Sequence, residues 1–126
     1  MRKTAFTGVL AAASLAAAAL LPQSAAHSAP PARLGDCAAG QLCLWDAPDF
    51  TGTRRTHELA STDIDSCVPL PKGSRIQALA NRTGRPVTTY QSAECAETGE
   101  FNTYPGGGTW VPRSPYQVRA FKIWEN

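Results

Sequence analysis

Leu44-Trp45-Asp46-Ala47-Pro48-Asp49-Phe50-Thr51-Gly52 reads as a β-strand, a turn opened by proline, and the glycine that lets the chain return. The half that starts there closes with Ser74-Arg75-Ile76-Gln77-Ala78-Leu79. A weaker copy follows in the same order: Thr89-Tyr90 in a strand, Thr98-Gly99 after a longer loop, and Tyr116-Gln117-Val118-Arg119-Ala120-Phe121 as the closing strand. A duplicated four-strand unit predicts two Greek keys packed as a sandwich. No apolar 3.6-residue period runs through three turns outside the N-terminal stretch, and turn formers recur every eight to twelve residues. Strands are expected at residues 42–46, 54–59, 75–81, 86–91, 100–104, 109–111 and 117–124. In the last of these, Val118, Ala120 and Lys122 face one way and Arg119, Phe121 and Ile123 the other, with Trp124 expected to close the core.

The N-terminus has the layout of a secretory signal peptide: Arg2 and Lys3, an uncharged Ala- and Leu-rich stretch, then Pro22 and the small residues Ser24, Ala25 and Ala26. Cleavage is expected after Ala26, leaving a short Pro-containing lead-in over residues 27–35 and one folded domain over residues 36–126, a secreted monomer. Loss of residues 1–26 removes two of the 12 basic residues and none of the 10 acidic ones, so the mature chain is formally neutral. A neutral chain has no electrostatic claim on nucleic acid, and none on an anionic membrane once the leader is gone.

A domain of this size has little surplus core, and exported domains commonly add covalent staples. All 4 cysteines follow the leader. Of their three possible pairings, Cys37 with Cys43 and Cys67 with Cys95 is favoured. Loop-closure entropy makes such bonds worth roughly 2.5 and 3.5 kcal/mol. The absence of C-x2-C pairs and the presence of only 2 histidines argue against zinc.

The aromatic Trp45, with Phe50 and then Gly52, resembles the Greek-key motif of βγ-crystallins, in which an aromatic corner packs over a glycine of positive φ. A closer resemblance covers most of the mature chain. Cys37-Ala38-Ala39-Gly40-Gln41-Leu42-Cys43, Leu70-Pro71-Lys72-Gly73-Ser74-Arg75, Ala80-Asn81-Arg82-Thr83, and Tyr90 ahead of Cys95 resemble the small secreted metalloproteinase inhibitors of streptomycetes, peptidase inhibitor family 36. The resemblance implies a βγ-crystallin-like fold with two disulfides, export by an actinobacterium, and inhibition of extracellular thermolysin-like metallopeptidases. It also implies that the protein is no enzyme. The family's reactive bond follows a cysteine, which matches Cys95 here, with Ala96 after it. The family closes its loop with another cysteine a few residues on. This chain has none there, so Cys95 is expected to reach back to Cys67.

Other functions leave weaker traces. His57 lacks H-E-x-x-H spacing, and a triad with Asp63 or Asp65 and a serine has nothing specific behind it. Calcium sites of βγ-crystallin type need carboxylates at positions matching residues 72–77 and 113–118. Both segments offer cations instead, so no metal or cofactor is expected. A module that binds cell-wall polysaccharide is the alternative, and it requires Trp110, Tyr104 and Tyr116 to share one open face.

Overall fold

The computed structural model describes residues 34–126. The expected signal peptide and most of the lead-in lie outside the described residues. Eight strands follow: β1 (Gln41–Ala47), β2 (Thr51–Glu58), β3 (Val68–Pro69), β4 (Ala78–Asn81), β5 (Val87–Tyr90), β6 (Phe101–Tyr104), β7 (Thr109–Val111) and β8 (Ala120–Ile123). The only helical turn among the described residues is the short 3-10 segment Leu59–Ser61. The strands form two four-stranded antiparallel sheets, ordered β2-β1-β4-β7 and β3-β8-β5-β6.

Those two orders are copies of each other. If β1 to β4 are matched with β5 to β8, the first sheet maps onto the second, because each half lends its third strand to the sheet built by the other. The duplication read from the sequence is therefore carried by the topology, and neither half can complete its sheet alone.

Strand alternation divides the side chains into an inner layer and two outer faces. Leu42 and Leu44 of β1, Leu79 of β4, Val87 of β5, and Phe121 and Ile123 of β8 meet between the sheets with Ile76 and Val118. On the outer face of the first sheet, Cys43, Trp45, Ala78 and Ala80 pack with Cys37. On the outer face of the second, Tyr90 and Ala120 pack with Cys95. A disulfide covers each outer face: Cys37–Cys43 on one and Cys67–Cys95 on the other, the pairing favoured from the sequence.

The structure corrects the sequence reading in three places. β3 was not expected, and its two residues, one of them proline, are too few to show a period. Residues 75–77 and 117–119 are not regular strand; they touch through the single bridge Ile76–Val118. That irregularity turns Val118 into the core beside Phe121, against strict alternation. Trp124 does not close the core. Phe121 and Ile123 point inward, so Trp124 follows Lys122 outward, where its indole N–H donates to Thr88 Oγ1 at 2.7 Å.

Gly35 and Gly52 show how the first half is closed. Gly52 has φ +79°, and a Cβ there would lie 2.1 Å from Asp46 Oδ1. Its positive φ was expected. The glycine beneath the Trp45 ring, however, is Gly35, where a Cβ would sit 2.4 Å from Trp45 Cζ2. A residue assigned to the lead-in thus seals the outer face of β1.

Candidate functional site

The loop between β5 and β6, residues 92–99, is held at its base and in its middle. At the base, the Gln91 N–H donates to Glu100 O at 2.9 Å, and the Glu100 N–H donates to Gln91 Oε1 at 3.3 Å. The first half repeats the second of these bonds: the Thr53 N–H donates to Asp46 Oδ1 at 2.8 Å. In both halves, the residue after the aromatic accepts from the residue after the glycine.

Within the loop, the Cys95 N–H donates to Ser92 O at 3.2 Å and the Glu94 N–H to Ser92 Oγ at 3.1 Å. This turn delivers Cys95 in the left-handed region, at φ 57°. Its side chain is 8% exposed against Tyr90 and Ala120, and its sulfur is bonded to Cys67. Ala96 is half-buried, and Glu97 and Thr98 form an exposed tip. Glu94, Glu97 and Glu100 make the loop acidic, with no cation over residues 91–100. Burial first and the charge of Glu97 second raise the Tyr90 phenol above its ordinary value.

The other sequence candidates fall elsewhere. Tyr104 and Tyr116 pack against the main core, whereas Trp110 packs with Phe50 on the outer face of the first sheet. The three rings share no open face, so the stacking platform required by the polysaccharide reading is not made from them. His57 lies half-buried with its ring 4.8 Å from Phe121, and its Nε2 has no hydrogen-bond partner. Neither Asp63, Asp65 nor a serine engages it. Burial, and secondarily the Arg55 charge, lower the imidazole below its ordinary value.

Asn81 is fully buried. Its amide donates to the carbonyls of Arg85, Pro105 and Tyr104 at 2.9, 3.1 and 3.3 Å, and its Oδ1 accepts from Thr83 Oγ1 at 2.7 Å. The motif Ala80-Asn81-Arg82-Thr83 is therefore structural. Of the acidic residues outside the loop, Asp46 caps the β1–β2 turn, and Asp49 pairs with Arg113 at 3.4 Å.

A family model described as peptidase inhibitor family I36 matches residues 30–103. The chain belongs to that family. The match takes in both disulfides and the whole β5–β6 loop. An I36 protein is a peptidase inhibitor and not an enzyme, so the partner of this chain is a peptidase. No curated protein and no solved structure gives a significant match. Among the described residues, no helix is long and apolar enough to cross a membrane.

Sequence reasoning missed two features near the loop. Phe101, the first residue of β6, is 43% exposed and stacks on Tyr90 with ring centroids 6.0 Å apart. Its strand assignment gave no signal of that exposure. The second feature is a cationic groove formed by segments far apart in sequence.

Proposed function

We propose that this protein is an exported, monomeric inhibitor of thermolysin-like metallopeptidases, freed of residues 1–26, that engages its target through residues 92–99. Cys95–Ala96 is the candidate reactive bond. The observation that carries the reading is the anchoring of the loop at its base by Gln91 and Glu100 and at its middle by Cys95, with Glu97 and Thr98 left exposed. A loop already ordered loses less entropy on binding than a free peptide does, and the difference appears as affinity.

Cys95 adds a second argument. A non-glycine residue in the left-handed region is strained by roughly 1–2 kcal/mol. Cys95 is therefore the one point at which the ordered loop must open if a peptidase draws Cys95–Ala96 into an extended, substrate-like backbone. Release of that strain offsets part of the opening, while the sulfur stays fixed on the body of the protein. Ala96 leaves room for improvement, because thermolysin-like sites favour a bulky apolar residue after the scissile bond.

The test is an inhibition panel of secreted metallo- and serine peptidases. A thermolysin-like enzyme should be inhibited, and Ala96→Leu should tighten inhibition by about 1–2 kcal/mol through added apolar burial. Absence of inhibition of every metallopeptidase at micromolar protein would refute the target assignment. Inhibition insensitive to both Ala96→Leu and removal of the Cys67–Cys95 bond in a folded protein would move the contact to residues 101–110.

A further inference from the structure

The two segments that match calcium-site positions, residues 72–77 and 113–118, meet in the fold. The Ser114 N–H donates to Gln77 O at 2.7 Å, the Val118 N–H to Ile76 O at 3.1 Å, and Gln117 Nε2 to Ser74 O at 2.7 Å. Beside this junction lies a cleft of about 470 Å³, lined in part by Lys72, Arg75, Arg119 and Ala93. A second cleft of about 330 Å³ shares Arg75 and Gln117 with it and runs on to Ser114 and Tyr116. Together they form a groove across the junction of the two halves.

No carboxylate lines either cleft. Lys72, Arg75 and Arg119 are all exposed, and none has a salt-bridge partner among the described residues, where the ion pair present is Arg113–Asp49. Ala93 belongs to the same loop as Ala96, so the groove opens at the loop's foot. That loop is acidic. The surface around the candidate reactive bond is thus bipolar, with carboxylates on the loop and unpaired cations in the groove beside it. Complementary charge of this kind fixes register and speeds encounter.

We propose that the groove receives an acidic segment of the bound peptidase, whose carboxylates pair with Lys72, Arg75 and Arg119; this rests on the inhibitory reading of residues 92–99. A peptide carboxylate fits better than an acidic glycan. Sugar binding draws on exposed rings, and the groove's one ring, Tyr116, is half-buried with its hydroxyl donating to Thr89 O at 3.0 Å. Bidentate guanidinium contacts with carboxylates supply geometric specificity.

The probe is fluorescein-labelled hexaglutamate, titrated against the purified protein and followed by anisotropy, with no peptidase present. The peptide should bind in a salt-sensitive manner, and Arg75→Gln with Arg119→Gln should weaken binding about tenfold. Arg54→Gln on β2 makes a change of charge away from the groove and should leave binding as it was. Both groove arginines are exposed, so an unchanged melting curve should accompany the loss.

Absence of binding at millimolar peptide, or equal affinity in the groove variant and the Arg54 variant, overturns the proposal. Tighter binding of polygalacturonate than of hexaglutamate overturns its assignment to a peptide. The two readings fail separately. Peptide binding without inhibition of any peptidase removes the inhibitory loop, whereas inhibition unchanged by the double substitution at low salt removes the groove.

Discussion

The two connections that open the halves, β1 to β2 and β5 to β6, occupy equivalent places in the topology and are anchored by different chemistry. Each places a residue of positive φ against the outer face of its sheet: Phe50 at 59°, which follows Asp49 at 60°, and Cys95 at 57°. Phe50 wedges between Trp45 and Trp110, with ring centroids at 5.2 and 5.6 Å in edge-to-face contact. Cys95 is fixed by a covalent bond to Cys67. The wedged connection is short, with residues 48–50 between β1 and β2. A disulfide needs only one point, so the second connection can be longer, carry an exposed tip, and remain ordered. The same fold position is thus a tight, ring-packed turn in one half and a longer, disulfide-anchored loop with an exposed tip in the other.

Removing the covalent anchor should have the largest effect. Cys67→Ser with Cys95→Ser is expected to cost roughly 3.5 kcal/mol in urea unfolding, against roughly 2.5 for Cys37→Ser with Cys43→Ser, and only the first pair should also weaken inhibition beyond its effect on folding. Equal losses of inhibition from the two pairs would erase the distinction between the connections.

Phe50→Ala should cost about 2–3 kcal/mol, below the roughly 3–5 kcal/mol for a fully buried ring because Phe50 is only half-buried. Inhibition by the protein that remains folded should not change. A smaller effect separates the glycines. Gly52→Ala meets both positive φ and the Asp46 carboxylate and should cost about 1–2 kcal/mol, whereas Gly99→Ala finds its nearest neighbour at 3.5 Å and should be close to neutral.

The smallest effect concerns pH. The folded protein lowers the His57 imidazole, so below the ordinary value near ~6.5 the unfolded chain takes up a proton that the folded chain resists. Stability is then complete above that value and falls as the pH drops through it. Urea midpoints at acidic and neutral pH should show a decline that His57→Gln reduces; an unchanged decline would place its source elsewhere.

Legibility in the sequence followed the physical signals. Strands with clear alternation and flanking turn residues, such as β1 and β5, were readable to within a residue or two, and so was the shared face of Phe121 and Ile123, though not that it is the inner one. The exchange of third strands between sheets was not readable: β3, two residues long, is too short for a period, and β7, expected at residues 109–111, carries no local signal of which sheet it joins. Gly35 looked like lead-in because local composition says nothing of a ring folding back over it. In the candidate site, Cys95 and its partner were legible from cysteine spacing and family resemblance. The groove was half-legible: Lys72 and Arg75 were visible as cations where a calcium site needs carboxylates, whereas Arg113 of the matching segment pairs with Asp49 instead. Arg119 and Ala93 join Lys72 and Arg75 only through the tertiary fold.

The central claim is that the disulfide-anchored second connection presents a substrate-like bond. It is tested most directly by incubating the protein with an inhibited thermolysin-like metallopeptidase and mapping cleavage by mass spectrometry under native conditions, then after denaturation. The account predicts a slow, single nick between Cys95 and Ala96. All four cysteines lie in the piece that ends at Cys95, so the two pieces should remain together under native conditions through non-covalent contacts alone, such as the pairing of β5 with β6 and β8, and should separate on denaturation with or without reduction. Inhibition with no cleavage in residues 92–99 and a first nick outside them, for example beside Phe101, would contradict it.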